Sequence, residues 1–441
     1  MNSIELEDIV SQIDHIGLDM YQLMTELFPI CRSITGNGVR DTLNQIKNHI
    51  DLKIHEIPSN TSVFDWTIPK EWNIVDAYVI DPLGNKVIDF KKSNLHVVSY
   101  STPIRQKMTL EELKTHLHTL PNQPDTIPYL TSYYNENWGF CLSHNDFLKL
   151  EDGEYQIVID SSLKDGSLTY GECFIPGKSS DEILISCYVC YPSMCNDNLS
   201  GVVLTTILAK HISKLSLDYS FRFLFIPETI GAITWLAINE KNISKIKHGL
   251  VATCVGDPGI STYKKSRQNN ADIDKTVEFI LKNSNSEYKI VDFFPSGSDE
   301  RQFCSPGFNL PVGSLMRTPY GQFSQYHTSE DNLDFVGAHH LADSYMKYIN
   351  TIFVLENNKK FVNLNPKCEP QLGKRGLYRQ IGGQKLSQDS EMAIFWMLNF
   401  SDGEHSILDI SEKSGIKFEI LVDAALKLQQ NNLIREDKGN K

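Results

Sequence analysis

The middle of the chain alternates between short, continuous apolar runs and longer segments with helical spacing. The runs Ile183–Ile185, Phe221–Ile226 and His248–Val255 have the length and composition of strands that are buried on both faces. Each run is followed by turn residues and then by a helical pattern, the first of which covers Leu199–Ile212. Strands that alternate with helices build parallel sheets. The pattern therefore predicts an α/β fold with a mostly parallel sheet and helices on both faces.

Between residues 67 and 170 the pattern changes to short segments in which apolar and polar residues alternate, as in half-buried strands. The segments are Trp72–Ile80, Lys86–Phe90, His96–Tyr100 and Tyr155–Ile159, and Met108–Leu120 has helical spacing. They predict a small β-rich domain inserted into the α/β domain. Its aromatic segment Tyr129–Leu142 either packs in a core or forms a wall of a substrate site, with Trp138 as the candidate for binding a substrate.

The C-terminal part reads helix, helix, helix, strand after a polar linker, and this order predicts a winged helix. Residues 366–441 carry 11 Lys and Arg against 11 Asp and Glu. The predicted recognition helix Phe418–Gln430 has one lysine against Glu419 and Asp423. Because a DNA-binding helix normally presents a basic face, we expect a packing or protein-interaction role and no nucleic-acid partner.

These boundaries predict three domains. The α/β domain is discontinuous and comprises residues 1–66 and 171–357. The β-rich insert comprises residues 67–170, and the winged-helix-like domain comprises residues 366–441. The sequence is compatible with a homo-oligomer and does not determine the oligomeric state.

The composition narrows the class of protein. A net charge of −13 argues against broad binding to nucleic acids or anionic membranes. No apolar run reaches the length of a membrane span, and residues 1–14 lack the basic start and apolar core of a secretory signal. The nine cysteines include only one Cys-x-x-Cys pair, Cys187 and Cys190, so we expect reduced thiols and a cytoplasmic protein.

Candidate chemistry collects where the predicted strands end. Asp197, Glu228 and Asp257 follow three successive strands, and His327 lies in a later loop. The carboxyl ends of parallel strands share one crevice, so these side chains are candidates for a metal or catalytic site. Each also has an ordinary explanation. Asp197 could cap a helix, Glu228 could interact with a helix dipole, and His327 could bond to Asp331.

The segment around Asp197 reads Asn-Asp-Asn-Leu-Ser-Gly and resembles a motif of the co-catalytic zinc exopeptidases, the aminopeptidase and glutaminyl-cyclase superfamily. The chain is more similar still to a bacterial subfamily that is often encoded with polysaccharide-biosynthesis genes. That subfamily has an aminopeptidase-like domain, an inserted domain and a C-terminal winged helix. Its Phe-Pro-x-x-Arg-Ser-Ile-Thr-Gly segment resembles residues 28–36, in which Arg32 could bind a substrate carboxylate.

The resemblance implies a role for each candidate. Asp197 would bridge two zinc ions, and Asp257 and His327 would each ligate one of them. Glu228 would be the general base that takes a proton from metal-bound water, and Asp299 would lie beside the site in a Ser-Asp segment. The implied substrate is a small peptide or an aminoacyl group.

This sequence departs from the pattern at two positions where the subfamily has histidine, which are occupied by Tyr188 and Tyr191. Thr229 also replaces the second residue of the superfamily's Glu-Glu pair. Each metal loses a ligand, so one zinc ion held by Asp197, Asp257 and His327 is expected, with a metal-free site as the alternative. The two tyrosines are candidates for substrate binding. The sequence favours an aminopeptidase-like hydrolase with a depleted metal site, and the alternative is a non-catalytic binding or scaffold protein.

Overall fold

The structure is a computed structural model that describes residues 1–377 and 388–437. The chain divides into two compact units. The larger unit comprises residues 13–347, and the smaller comprises residues 1–12 and 348–441. The described residues contain no helix that is both long enough and apolar enough to cross a membrane.

The strands, numbered in chain order, are β1 (Lys53–Pro58), β2 (Ser62–Val63), β3 (Trp66–Thr67), β4 (Glu71–Ile80), β5 (Lys86–Asp89), β6 (Ile104–Thr109), β7 (Leu117–His118), β8 (Phe140–Cys141), β9 (Glu154–Lys164), β10 (Ser167–Ile175), β11 (Glu182–Tyr188), β12 (Ser220–Ile226), β13 (Ile246–Ala252), β14 (Ser261–Lys264), β15 (Tyr288–Val291), β16 (Val312–Met316), β17 (Lys360–Asn363), β18 (Asp402–Ser406) and β19 (Ile434–Glu436). The helices are α1 (Ser3–Val10), α2 (Ile13–Leu27), α3 (Asn37–Lys47), α4 (Leu110–Lys114), α5 (His144–Phe147), α6 (Ser200–Ile212), α7 (Ile230–Asn239), α8 (Asp272–Lys282), α9 (Glu300–Phe303), α10 (Ala338–Asn357), α11 (Gln388–Phe400), α12 (Ile407–Ser414) and α13 (Phe418–Gln430).

An eight-stranded sheet organises the larger unit, with the strand order β1-β10-β12-β11-β13-β16-β14-β15. The four strands at its centre, from β12 to β16 in this order, are mutually parallel. Ile183, Leu184 and Ile185 are each at most 1% exposed. Because successive side chains of a strand point to opposite faces, both faces of the sheet are covered here. The predicted α/β fold is confirmed, and the parallel centre places the ends of β11, β12 and β13 at one edge.

The β-rich insert forms a separate four-stranded antiparallel sheet in the order β5-β4-β9-β6. The strand predicted over His96–Tyr100 is wrong, because this segment makes only single bridges, from Val97 to Phe140 and from Ser99 to Thr131. The helix predicted over Met108–Leu120 is shortened to α4. The sheet of the insert ends at Lys164, and β10 already belongs to the large sheet.

In the smaller unit, the three helices α11, α12 and α13 accompany the antiparallel sheet β18-β17-β19. Gly415 takes a φ of 70° and ends α12, since glycine adopts this left-handed conformation without strain. The predicted helix-turn-helix is therefore confirmed. Ser3 of α1 donates a hydrogen bond of 2.9 Å to Asp423 on α13, so the predicted recognition helix has a protein neighbour within the unit.

Candidate functional site

The candidate site lies at the carboxyl ends of three neighbouring strands of the large sheet. Tyr188 is the last residue of β11, Glu228 follows β12 by two residues, and Thr253 comes directly after β13. Because these strands are parallel and adjacent, the three side chains lie at one edge. This is the edge at which open α/β sheets bind their ligands.

Asp197 is fully buried at this edge. The hydroxyl group of Tyr188 donates a hydrogen bond to its Oδ1, and Nε2 of His327 lies 3.0 Å from its Oδ2. Tyr188 has a single proton to donate, so Thr253 is the donor in the 2.7 Å contact between the two hydroxyl groups. Helix α6 has Leu199 at its N-cap position, so Asp197 faces the site and does not cap that helix.

The backbone that carries Asp197 is fixed by Asp331. The carboxylate of Asp331 accepts hydrogen bonds from the backbone N–H groups of Asn196, at 2.6 Å, and Asp197, at 2.9 Å. Burial raises the pKa of Asp331 to about 7, although these two N–H groups lower it. Asp331 therefore supports the loop, while His327 turns to Asp197.

Glu228 is half-buried and accepts a hydrogen bond from the hydroxyl group of Tyr191. Burial and the nearby Asp197 carboxylate raise the pKa of Glu228 to about 7, against smaller lowering effects from Tyr191, Ser298 and Arg301. Burial raises the pKa of Tyr191 well above its usual value near 10. Tyr191 is therefore a neutral donor, and Glu228 is a carboxyl group that can change its charge near neutral pH.

Thr229 is held in an uncommon backbone conformation next to Glu228. Its φ is 64°, which costs a β-branched residue free energy and persists only where the surroundings enforce it. The N–H group of Thr229 donates to Oδ1 of the fully buried Asp299 at 2.7 Å. Arg301 donates to the Thr229 hydroxyl group at 3.0 Å. Asp299 and Arg301 thus fix the turn that presents Glu228.

Aromatic rings from the insert and from the loop around residue 327 surround these carboxyl groups. Tyr129 packs edge-on against Tyr191 and His327, with 5.4 Å between ring centroids in both pairs. Tyr326 stacks on His327 at 3.9 Å. Tyr129 donates its backbone N–H to the His327 carbonyl oxygen at 2.8 Å. The insert therefore supplies one wall of the crevice. The sequence placed Tyr129 in a candidate aromatic segment without singling it out, and it did not identify Tyr326.

Asp257 does not join this cluster. Its Oδ1 accepts hydrogen bonds from Gly259 at 2.7 Å and from the Thr318 hydroxyl group at 2.5 Å. Its Oδ2 accepts hydrogen bonds from the Asn196 side chain at 3.0 Å and the Thr318 N–H group at 3.2 Å. Four donors satisfy this carboxylate, so it braces the loops, and Thr253 takes the place beside Asp197.

Two further candidates also lie outside the crevice. Arg32 is 1% exposed and donates to two backbone carbonyl oxygens, of Tyr191 at 2.8 Å and Leu27 at 2.7 Å. It therefore tethers the Tyr191 backbone. Trp138 stacks on His116, with 3.7 Å between ring centroids, and packs against the core of the insert.

The residues present do not fit a zinc ion. The Tyr188 hydroxyl group donates to the carboxylate oxygen that a metal would use, and burial raises the pKa of Tyr188 well above its usual value, so it is not an anionic ligand. Asp257 already has four donors. Within the described ranges, no group of three or more histidine, cysteine, aspartate or glutamate side chains is placed to hold a metal ion. Structural and catalytic zinc sites use at least three such ligands.

Comparisons with known proteins agree with this fold. The profile of a family described as a domain of unknown function (DUF4910) matches residues 21–358, and a winged helix-turn-helix profile matches residues 359–436. A Clostridium acetobutylicum protein is 59% identical over 431 residues, which cover 98% of this chain and 99% of that protein. Its name, given as provisional, is polysaccharide biosynthesis protein with aminopeptidase-like domain.

Two solved structures illustrate the likeness. A crystal structure from Clostridium acetobutylicum, provisionally titled a peptidase, has a TM-score of 0.93 at 57% identity and covers 98% of this chain and 100% of that one. A zinc aminopeptidase from Bacillus subtilis has a TM-score of 0.56 at 11% identity, covering 77% and 94%, and this likeness shows the fold alone. The chain therefore belongs to the DUF4910 family, with an aminopeptidase-like fold and a C-terminal winged helix-turn-helix domain.

Proposed function

We propose that this protein is a non-hydrolytic, aminopeptidase-like binding protein whose crevice accepts the amino group of a small peptide or aminoacyl ligand. The carrying observation is that the hydroxyl groups of Tyr188 and Tyr191 donate to the carboxylates of Asp197 and Glu228. In the zinc exopeptidases that this chain resembles, the matching carboxylates serve as metal ligand and general base. Here tyrosine protons occupy them, so binding is the function that the arrangement supports.

The chemistry of the crevice favours a cationic group. Glu228 is half-buried and supplies the negative charge that an ammonium group needs. The hydroxyl group of Tyr191 bonds to Glu228, and the rings of Tyr191 and Tyr326 both pack on His327. Tyrosine faces attract cations. A neutral or acidic ligand would have to approach Glu228 and the buried Asp197 without compensating charge. The free α-amino group of a peptide or an aminoacyl group meets this requirement.

Two further parts of the proposal concern context. All nine cysteines lie in the described part of the chain and are free thiols, which suits a reducing compartment such as the cytoplasm. The name of the Clostridium acetobutylicum relative supports a place in polysaccharide biosynthesis, with an aminoacyl group carried on a sugar as the ligand.

Isothermal titration with a panel of free dipeptides, such as alanyl-alanine, and their N-acetylated forms tests the proposal. We expect saturable binding of free dipeptides, about tenfold or greater loss on N-acetylation, and no hydrolysis with or without added zinc. Glu228→Gln should remove the preference for the free amine. Glu240→Gln, the same change at the exposed far end of α7, should leave it intact. Equal affinity for both forms, no binding by any dipeptide, or turnover would contradict the proposal.

A zinc-dependent amide hydrolase is the second candidate, because Glu228 lies at a strand end in a fold shared with solved zinc aminopeptidases. Elemental analysis of protein purified without chelator separates the two. About one zinc ion per chain, together with hydrolysis that Glu228→Gln abolishes, would support the hydrolase. Protein without zinc that still binds free amines would support the binding protein.

A further inference from the structure

Arg301 differs from the other partly buried arginines of the larger unit. Its Nη2 donates to the Thr229 hydroxyl group at 3.0 Å, while its buried Nε has no hydrogen-bond partner among the described residues. In contrast, the partly buried Arg40 and Arg222 are paired with carboxylates. No ion pair of Arg301 is formed within the described ranges. The charge of Arg301 also lowers the pKa of the buried Asp299, but without a hydrogen-bonded carboxylate this half-buried guanidinium group keeps donors available for an anion.

Arg301 lies close to Glu228, at the crevice. Thr229, which it contacts, is the residue after Glu228, and all three side chains are partly exposed. The charge of Arg301 lowers the pKa of Glu228, so the guanidinium group lies within electrostatic reach of that carboxylate. The same small area of surface therefore presents one anion and one cation to a ligand.

We propose that Arg301 is a specificity-determining residue that binds a carboxylate of the ligand, so that the crevice selects a zwitterion. This inference rests on the proposed function, in which Glu228 receives the ammonium group of the ligand. A guanidinium group binds a carboxylate through two parallel hydrogen bonds, and its two terminal nitrogens form one such fork. The ligand class is then an amino acid or short peptide with both termini free.

A comparison of two ligands on two proteins tests whether Arg301 contacts the carboxylate of the ligand. Alanyl-alanine and alanyl-alaninamide differ only in the terminal charge, and isothermal titration gives the affinity of each for the wild type and for Arg301→Gln. We expect the amide to bind the wild type about tenfold or more weakly than the acid, and the two to bind Arg301→Gln equally. Arg301→Lys should keep part of the preference. Arg267→Gln, a change at an exposed arginine, should keep all of it.

The outcomes separate this inference from the function on which it rests. Equal affinity of the acid and the amide for the wild type would overturn the role of Arg301, even if N-acetylation still abolished binding. If Arg301→Gln weakened both ligands by the same factor, Arg301 would act only through Thr229, which would also overturn it. Indifference to N-acetylation would instead refute the proposed function. If Arg301→Gln does not fold, the affinities of the acid and the amide for the wild type and for Arg301→Lys still test the role of Arg301.

Discussion

The hydroxyl group of Tyr188 donates a hydrogen bond to Oδ1 of Asp197, at the end of the central strand of the sheet. Both side chains are at most 2% exposed. The phenol stays protonated, because burial and the Asp197 charge raise its pKa well above the usual value. A neutral donor thus satisfies a buried carboxylate at a position where a histidine would offer a metal ligand.

Removing this hydroxyl group should destabilise the protein. Tyr188→Phe leaves the Asp197 oxygen and the Thr253 hydroxyl group each short of a partner, at a cost of about 2 kcal/mol for a buried hydrogen bond to a charged group. Urea unfolding followed by tryptophan fluorescence measures the change. Tyr134→Phe removes the hydroxyl group of a side chain that is 51% exposed and should cost less than about 0.5 kcal/mol. Equal stability of the two variants would mean that the Tyr188 bond contributes nothing.

The backbone of the site could be predicted from the sequence. Apolar runs bounded by turn residues identify buried strands directly, and the parallel order of β11, β12 and β13 then places Glu228 and the segment of Asp197 at one edge. These inferences use information that is local in the chain. The resemblance of residues 196–201 to a known motif extended them to a family.

The details that decide the chemistry depend on contacts between distant parts of the chain. Tyr129 reaches the crevice because Pro128 bridges to Thr328, 200 residues further on. No periodicity distinguishes Tyr129 from Trp138 within one irregular aromatic segment. Likewise, the sequence shows that Asp257 follows a strand, but not that Asn196 and Thr318 supply donors to its carboxylate.

Introducing histidine at the two tyrosine positions should create a metal site. In Tyr188→His/Tyr191→His, an imidazole near Asp197 joins His327, which gives the three ligands that zinc needs. We expect about one zinc ion per chain by elemental analysis of the dialysed double variant, and substoichiometric zinc in the wild type. Tyr134→His adds a histidine at the exposed surface and should bind none. Stoichiometric zinc in the wild type would contradict the conclusion that the tyrosines exclude the metal.

Acid should destabilise the larger unit through His248. Burial lowers its pKa from 6.5 to about 4, and the side chain is 7% exposed. A folded-state pKa below the unfolded value means that the unfolded chain binds more protons between these values. The contribution is therefore complete above pH 6.5 and is lost as pH falls towards 4, with an upper size of about 3 kcal/mol.

The replacement His248→Gln should flatten this part of the stability profile. Urea unfolding at several pH values gives the free energy of unfolding for each variant. The exposed His15 is the matched position, and His15→Gln should keep the wild-type slope. A slope unchanged by His248→Gln would show that other groups carry the acid response.

Ligand binding should depend on pH through Glu228. With a pKa of about 7, this carboxyl group is mostly protonated below neutrality and can then no longer attract an ammonium group. Affinity for alanyl-alanine should rise as pH increases through 7 and fall again when the ligand amine loses its proton near pH 8. Because the bound ammonium group favours the ionised carboxylate, binding at pH 7 should release a fraction of a proton. Titrations in buffers of different ionisation enthalpy measure that release.

In Glu228→Gln the rise in affinity through pH 7 and the proton release should both vanish. The fall in affinity near pH 8 should remain in any residual binding, because it comes from the amine of the ligand. A rising limb that persists in Glu228→Gln would assign the titration to another group and remove Glu228 from the ammonium site.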